Sequence, residues 1–258
     1  MRSCPICKST NKNKIKQYST PIWKIVSCSD CHLVYLNNPP GYNSLEEEFA
    51  WEKTQIEEEK FRSSSQPILH RADVATRWRH KIGRKPQSLL YSNWFKGGNL
   101  LNIGCAAADM KYPGFVQFGI EISKELASQA NVNLKEQGGY CINGPGAEAI
   151  KKFDNDFFDG IIMRSYLEHE ENPSKVLMEA RRVIKETGKI YVRVPNFNAL
   201  GRKIFQRKWV GFRYPDHVNY FSLKTLSTIG KRNNFKVHLL NPLRLPLDDN
   251  INALFIPI

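Results

Sequence analysis

Between residues 98 and 195 the chain alternates short apolar runs with longer stretches in which apolar residues recur every three or four positions. The short runs predict buried β-strands, and five of them occur: Asn99–Ile103, Phe115–Ile120, Tyr140–Ile142, Phe158–Met163 and Lys189–Val194. Strands that alternate with helices favour a parallel α/β sheet covered by helices on both faces. Ligands bind such sheets at the carboxyl ends of the strands, so the candidate site lies where these runs end.

Two of the intervening stretches carry helix-end signals. Ser123 can cap the first helix, which the pattern ends at Gly138. Asn172 and Pro173 are typical of the cap and the first position of the second helix, which the pattern ends at Gly188. The apolar residues of each helix share one face: Leu126, Ala130 and Leu134 in the first, and Val176, Ala180 and Val183 in the second.

Four of the six cysteines lie in the first 31 residues, as two Cys-x2-Cys pairs with twenty residues between them. Each pair can form a tight turn that aims both sulfurs at one point, and two such pairs complete a tetrahedral Zn²⁺ site. Four thiolates leave no open coordination position, so we predict a structural zinc bound by Cys4, Cys7, Cys28 and Cys31. Free thiols or disulfides are the alternatives, and a cytoplasmic setting disfavours disulfides.

Changes in composition divide the chain into three predicted parts. Residues 1–38 form the zinc ribbon, and residues 39–70 form an acidic connector or helix with seven Glu between Leu45 and Glu59. Residues 71–258 form the α/β domain, with a helical pattern expected from Ile68 to Phe95. The remaining cysteines, Cys105 and Cys141, are flanked by small or apolar residues and are expected to be buried and unreactive.

The charge balance is 38 Lys and Arg against 25 Asp and Glu, a formal net charge of +13. Such a surplus attracts nucleic acids, phosphorylated small molecules and anionic membrane surfaces. The surplus is concentrated in residues 71–96 and 202–213. The alternative to a binding role is that these residues form an ordinary solvated surface.

A content of 41% hydrophobic and 24% charged residues excludes fibres and disordered chains. No apolar run reaches the roughly 18 residues of a membrane span. No apolar signal segment begins the chain, so we expect a cytoplasmic protein.

The first predicted strand leads into a loop of small residues, from Gly104 to Ala108. Small residues there let a ligand approach backbone N–H groups. Glu121 ends the second strand, where a carboxylate can accept hydrogen bonds from the ribose hydroxyls of an adenosine. A nicotinamide dinucleotide is disfavoured, because the G-x-G-x-x-G pattern requires glycine where Ala106 and Asp109 stand.

From about Leu100 to Phe235 the sequence resembles the class I S-adenosylmethionine-dependent methyltransferases. Leu101–Cys105 is similar to their first motif, and Gly119–Ser123 is similar to their second. Their fourth-strand motif is similar to Phe158–Met163 followed by Tyr166–His169. One subgroup also shares two later segments, here Val194–Asn196 and Asp216–Ser222. In that subgroup an amino-terminal four-cysteine ribbon ends in Cys-x-Leu-Val-Tyr, as Cys31–Tyr35 does here. Known members of that subgroup methylate nucleotide-linked sugars.

The resemblance implies a Rossmann-like methyltransferase sheet with helices on both faces, preceded by a small zinc ribbon, and S-adenosylmethionine as cofactor. It places these residues around the cofactor: Asn102, Gly104, Cys105, Ala106, Glu121, Ile122, Ala147, Glu148 and Arg164. Three positions depart from the family's pattern, which has aspartate at Asn102 and glycine at Ala106 and Ala108. Each added methyl group narrows the room over the loop backbone.

Methyl transfer from a sulfonium requires alignment of the acceptor and, for a hydroxyl or carbon acceptor, removal of a proton. Histidine suits that role near neutral pH, and the candidates are His169, after the fourth strand, and His217, in a late loop. Each histidine has a structural alternative, as a hydrogen-bonding or loop-packing residue. The basic segment Gly201–Trp209 could grip the phosphates of a sugar nucleotide, or form a solvated amphipathic helix.

We therefore expect a methyltransferase that acts on a small-molecule acceptor, with a nucleotide-linked sugar or glycan precursor as the leading hypothesis. A tRNA or rRNA methyltransferase is the first alternative, because zinc ribbons and surplus positive charge serve RNA binding. The second alternative is a non-catalytic binding protein whose alanine-substituted loop no longer holds cofactor.

Overall fold

The strands form two sheets within the part of the chain that the computed structural model describes, residues 1–41, 87–209, 211–245 and 247–258. The acidic connector and the start of the helical pattern predicted from Ile68 lie almost wholly outside these residues. The strands in chain order are β1 (Lys12–Lys14), β2 (Ile25–Cys28), β3 (Val34–Leu36), β4 (Gly98–Ile103), β5 (Phe115–Glu121), β6 (Cys141–Asn143), β7 (Phe158–Arg164), β8 (Ile184–Pro195), β9 (Asn219–Tyr220), β10 (Phe235–Leu239) and β11 (Asn250–Pro257).

The larger sheet has seven strands in the order β10-β11-β8-β7-β4-β5-β6. Five of these strands, β8-β7-β4-β5-β6, are parallel to one another, whereas β11 pairs antiparallel with both β8 and β10. Both faces bury apolar side chains: Leu101, Ile161 and Val192 on one face, and Leu100, Ile162 and Tyr191 on the other. A parallel sheet covered on both faces confirms the predicted Rossmann-like α/β fold.

The helices lie between the strands as the alternating pattern predicts. Their bounds are α1 (Gln87–Phe95), α2 (Lys124–Lys135), α3 (Gly146–Ala149), α4 (Pro173–Val183), α5 (Leu200–Phe205) and α6 (Leu223–Arg232). The predicted cap of α2 is present, because the Ser123 side chain accepts a hydrogen bond from the Leu126 N–H. No helix of the described residues is long and apolar enough to cross a membrane.

The predicted end of α4 at Gly188 is wrong. The helix ends at Val183, and Ile184 already has extended backbone angles, so β8 begins five residues earlier than the sequence pattern indicates. Gly188 lies inside the strand, where an added Cβ would come within 2.6 Å of Ile184 Cγ1. The glycine therefore makes room for a register irregularity between β7 and β8, instead of ending a helix.

The smaller sheet joins the ribbon to the α/β domain. Its antiparallel order is β1-β2-β3-β9, and β9 follows β8 in the chain, so that Val34 pairs with Tyr220. Arg2 reinforces this junction. Its guanidinium donates hydrogen bonds of 2.7–3.1 Å to the backbone oxygens of Leu36, Glu171 and Val218 and to the Asn219 side chain. The ribbon is thus packed directly against the segment that precedes β9.

Candidate functional site

A cavity of about 510 Å³ lies at the carboxyl ends of the parallel strands. Its wall includes residues from the ends of four adjacent strands, Asn102 (β4), Glu121 (β5), Arg164 (β7) and Arg193 (β8). Loops that follow the strands complete the wall. This is the edge where parallel sheets bind ligands, as the sequence analysis expects.

Most of the candidate residues meet in this cavity. Those that line it are Asn102, Gly104, Cys105, Ala106, Glu121, Ile122, Arg164 and His169. Ala147 is buried next to the lining residue Gly146. Glu148 points to solvent instead and forms ion pairs of 2.7 Å with Lys151 and 2.5 Å with Lys175. Ala147, Glu148 and His217 are not part of the wall.

The loop after β4 keeps a glycine-like backbone in spite of its alanines. Ala106 and Ala108 have φ of +50° and +53°, in the left-handed region. An L-residue pays roughly 1–2 kcal/mol for this conformation. The resemblance implies glycine at these two positions, and the loop stores strain at both alanines.

Glu121 fixes this loop from the neighbouring strand. One carboxylate oxygen accepts a 2.9 Å hydrogen bond from the Ala106 N–H, and the other accepts a 3.0 Å bond from the Ser123 N–H. The side chain is only 8% exposed, so its orientation is set by these donors. A carboxylate oxygen has two lone pairs, so one acceptor can serve both a backbone N–H and a ligand hydroxyl.

Tyr166 and Glu170 also line the cavity, and the sequence analysis missed their roles. The Tyr166 hydroxyl donates a 2.5 Å hydrogen bond to the Glu170 carboxylate. Two glycines make room for the ring: an added Cβ on Gly146 would lie 2.0 Å from the Tyr166 hydroxyl, and one on Gly104 would lie 3.4 Å from its Cδ2. The available signal was the four-residue spacing of a tyrosine and a glutamate just after a strand.

His169 is held by an acidic partner that lies far away in the sequence. Its Nδ1 is 2.8 Å from the Asp216 Oδ1, and the Arg213 Nη2 lies 3.0 Å from the other Asp216 oxygen. Burial opposes the charged forms of both members of the pair. The nearby cations nevertheless hold the pKa of Asp216 well below its usual range, and the Asp216 carboxylate raises the pKa of His169.

His217 lies behind His169, away from the cavity. The two imidazole rings meet edge to face with their centroids 4.7 Å apart, and the His217 Nδ1 is 2.9 Å from the Gly211 carbonyl oxygen. Burial, together with the positive charge of His169, lowers the pKa of His217 to about 3, so its ring is neutral. Glu168 is also buried here, which raises its pKa to about 7. His217 is therefore placed to pack and orient His169.

Cys105 and Cys141 lie beside the cofactor loop, with their sulfurs 3.7 Å apart. Cys105 is buried and Cys141 is half-buried. The hydrogen bond to Cys141 and burial both raise the pKa of Cys105, which makes it a poor nucleophile. This agrees with the expected unreactive role of Cys105.

The four amino-terminal cysteines converge within the ribbon. Cys4 and Cys31 have sulfurs 3.4 Å apart, as do Cys7 and Cys28, and all four sulfurs lie within 4.8 Å of one another. Sulfurs around a tetrahedral zinc, with bonds of about 2.3 Å, are spaced by about 3.8 Å. The four free thiols therefore fit a closed zinc site, and the adjacent His32 is exposed to solvent.

The two cysteine pairs are built on the same turn. Lys8 and His32 each follow the second cysteine of a pair, and both have a positive φ, of 62° and 64°. This conformation lets their N–H groups donate to the carbonyl oxygens of Cys4 and Cys28, at 2.9 and 3.1 Å. Both turns thus direct their sulfurs to one centre.

The strain in the cofactor loop predicts a stabilising substitution. Replacing both Ala106 and Ala108 by glycine relieves the positive-φ penalty and loses part of that gain to a more flexible unfolded chain. We expect the free energy of unfolding to rise by about 1 kcal/mol and Tm to rise by about 2–4 °C. Thermal denaturation measures this.

Ala107→Gly is the matched control for this experiment. Ala107 is not among the positive-φ residues, so its replacement brings no relief and lowers stability by about 0.5–1 kcal/mol. A double variant that is destabilised to the same extent as Ala107→Gly would contradict the strained loop.

The His169–Asp216 pair predicts a specific titration. We expect NMR of histidine-labelled protein to give His169 a pKa above its ordinary value of about 6.5. Asp216→Asn removes the carboxylate that favours the charged ring and lowers this pKa by about one unit or more. Asp159→Asn, which removes a carboxylate paired with Lys185 at the start of β7, leaves it unchanged. Equal pKa values in wild type and Asp216→Asn would disprove the pairing.

Comparison with known proteins agrees with this geometry. The sequence profile of a family described as a methyltransferase domain matches residues 71–240, more than half of the chain. Over 139 residues the chain is 29% identical to an uncharacterized protein of Methanocaldococcus jannaschii. That alignment spans 54% of this chain and 65% of the relative.

Solved structures share the fold at low sequence identity. An S-adenosylmethionine-dependent methyltransferase from Archaeoglobus fulgidus matches with a TM-score of 0.52 and 17% identity, over 66% of this chain and 90% of that one. A protein of Pyrococcus horikoshii matches with a TM-score of 0.51 and 19% identity, over 67% and 88%. The profile shows that the chain belongs to the methyltransferase-domain family, and the shared fold and the cavity at the strand ends agree with this assignment.

Proposed function

We propose that the enzyme methylates a small-molecule acceptor that carries phosphate, of the nucleotide-linked sugar or glycan-precursor class. The observation that carries this proposal is the division of the cavity into two chemically different ends. Glu121 and the β4 loop form one end, while His169, Arg164 and Arg193 lie along the carboxyl ends of β7 and β8. The carboxylate at the first end can bind the hydroxyls of a ribose. The arginines at the second end can bind a phosphate, and the histidine there can accept a proton from an acceptor hydroxyl.

The residues at the first end fit S-adenosylmethionine, which supplies a methyl group on a positively charged sulfur. The Glu121 carboxylate would accept hydrogen bonds from the ribose hydroxyls, and the loop from Gly104 to Ala108 would border the methionine portion. Asn102, which replaces the usual aspartate, also lines this end and retains hydrogen-bonding capacity. The intact Glu121 contacts favour a binding-competent site over the degenerate alternative.

Two arginines support an anionic acceptor. Arg164 and Arg193 are register partners on the adjacent strands β7 and β8, and both line the cavity. Arg164 is exposed, and its side chain makes no hydrogen bond or ion pair within the described residues. Guanidinium groups bind phosphate oxygens through paired, charge-assisted hydrogen bonds. The buried rings of Tyr91 and Tyr112 form part of the same wall and provide apolar surface.

His169 is the proposed general base. Asp216 holds the ring through Nδ1, and this hydrogen bond fixes the tautomer in which Nε2 carries the lone pair. Neutral His169 would accept the proton of the acceptor hydroxyl whose oxygen is to be methylated. Only the neutral ring can accept a proton, so activity rises with pH through the elevated pKa of His169. His217 acts through His169, as a positioning residue.

We also propose that the ribbon binds one structural zinc through Cys4, Cys7, Cys28 and Cys31. The convergence of the four sulfurs supports this assignment. The site is closed, so the metal would stabilise the ribbon and take no part in methyl transfer. The ribbon in turn supports β9, which follows Asp216 and His217 in the chain.

An acceptor screen tests the proposed substrate class. S-adenosylhomocysteine release is measured with nucleotide-linked sugars, with the same sugars lacking phosphate, and with total tRNA. We expect turnover with a phosphate-bearing sugar, and Arg164→Gln should raise its KM about tenfold or more by removing a charge-assisted contact. The affinity for S-adenosylhomocysteine should change little in this variant.

Arg232→Gln is the matched control, because Arg232 is exposed at the end of α6. Its KM should equal that of the wild type. Turnover with tRNA alone would reject the small-molecule proposal in favour of an RNA acceptor. Equal KM values for Arg164→Gln and wild type would reject the role of Arg164.

A further inference from the structure

Two neighbouring segments expose large apolar side chains at the edge of the sheet. Leu200, Ile204 and Phe205 on α5 are 45%, 63% and 41% exposed. Leu243 and Leu247, in the segment before β11, are 95% and 75% exposed. Exposed apolar side chains are ordinary when scattered singly, but a cluster of this kind marks an interaction surface. These five residues are called the edge patch below.

Contacts between the two segments show that they are neighbours in the fold. The Trp209 Nε1 donates a 3.1 Å hydrogen bond to Asp249, and Gly201 lies so close to Asp249 that an added Cβ would be 2.8 Å from its carboxylate. The Asn196 side chain donates to the Leu245 carbonyl oxygen at 2.9 Å. The segments before β11 and after β8 therefore lie side by side.

The protein holds α5 firmly from behind. Trp209 is only 2% exposed. Arg202 lies 4.4 Å above the ring of Phe197 and donates a 2.8 Å hydrogen bond to the Tyr18 hydroxyl. The exposed side chains of α5 thus project from an attached segment, with their inner neighbours packed against the ribbon.

Positive charge surrounds the edge patch. Lys203, Arg207, Lys208 and Arg244 are all exposed, and residues 200–209 contain no acidic residue. The acidic residues nearest in the sequence are Asp248 and Asp249, which keep their negative charge but accept hydrogen bonds from Asn241 and Trp209; the four cations outnumber them. Apolar side chains among cations are the chemistry by which surface segments enter an anionic lipid interface.

The edge patch lies on the same edge as the cavity. It begins just beyond Pro195, the carboxyl end of β8, and Pro195 pairs with Asn250 at the start of β11. Arg193, two residues before Pro195, lines the cavity. A surface that contacts the edge patch would therefore face the end of the cavity that holds the arginines.

We propose that the edge patch docks the enzyme on an anionic membrane surface. Leu200, Ile204, Phe205, Leu243 and Leu247 insert among the lipids, and the flanking lysines and arginines contact the headgroup phosphates. A second copy of the chain fits this face less well, because an isologous contact would oppose the same cations on both partners. The docking is independent of the proposed acceptor, although it would bring a membrane-associated glycan precursor to the cavity.

Vesicle sedimentation tests the docking. The wild-type protein is mixed with vesicles of phosphatidylcholine alone or of phosphatidylcholine with phosphatidylglycerol. We expect binding to the anionic vesicles that weakens with salt. The double variants Ile204→Ser/Leu243→Ser and Lys203→Gln/Lys208→Gln should each lower the partition coefficient about tenfold, and only the first should retain the salt dependence in full.

Matched variants on other surfaces separate docking from general charge and hydrophobicity. Val132→Ser/Met178→Ser replaces apolar residues that are 62% and 55% exposed, and Lys124→Gln/Lys135→Gln removes two exposed lysines of α2. Both controls should bind vesicles like the wild type. All variants should keep their affinity for S-adenosylhomocysteine, which shows that they are folded.

Three results would overturn the proposal. The first is a wild-type protein that binds neither kind of vesicle. The second is equal vesicle binding by the edge-patch variants and their controls. The third is a wild-type protein that binds no lipid but forms a dimer in analytical ultracentrifugation, while the edge-patch variants are monomers. This result would make the edge patch a contact between two copies of the chain.

Discussion

The contact between Glu121 and the loop after β4 is the interaction on which the site depends. One carboxylate oxygen holds the Ala106 N–H and the other holds the Ser123 N–H, so one side chain ties together the ends of two parallel strands and the start of α2. This contact explains how a loop with alanines at glycine positions keeps its left-handed path. The charge-assisted hydrogen bond to the Ala106 N–H, worth about 1.5–3 kcal/mol, is large enough to offset roughly 1–2 kcal/mol of backbone strain at that alanine. The same carboxylate then faces the cavity that the loop encloses.

At the other end of the cavity, the ribbon contributes to the site without lining it. The short strand β9 pairs with β3 of the ribbon, and Asp216 and His217 stand just before it in the chain. Arg2 adds hydrogen bonds to Val218 and Asn219, the next two residues. The segment that orients His169 is therefore fixed from one side by the ribbon and from the other by the fourth-strand motif. This arrangement gives a structural reason for the four-cysteine ribbon beside the α/β domain.

Features that depend on local sequence could be predicted, whereas those that depend on distant neighbours could not. The five buried strands follow from short apolar runs, and the loop of small residues after β4 follows from a motif, whereas the left-handed backbone at Ala106 is found only in the structure. The sequence gives no reason to connect Asp216 with His169, because 47 residues separate them and only the fold brings them to 2.8 Å. Gly188 has the spacing of a helix end, but the helix already ends at Val183 and Gly188 lies within β8. Glu148 fits a family position, yet two lysines hold it at the surface.

Calorimetric titration with S-adenosylhomocysteine tests the central claim, that Glu121 organises the cofactor end of the cavity. The wild type should bind with micromolar Kd, and Glu121→Ala should bind about 100-fold more weakly or worse, because both the loop support and the ribose acceptor are lost. Glu125→Ala, an exposed carboxylate in the first turn of α2, should bind like the wild type, and circular dichroism should show that all three proteins are folded. Wild-type affinity in a folded Glu121→Ala variant, or no binding by any of the three, would contradict this role of Glu121.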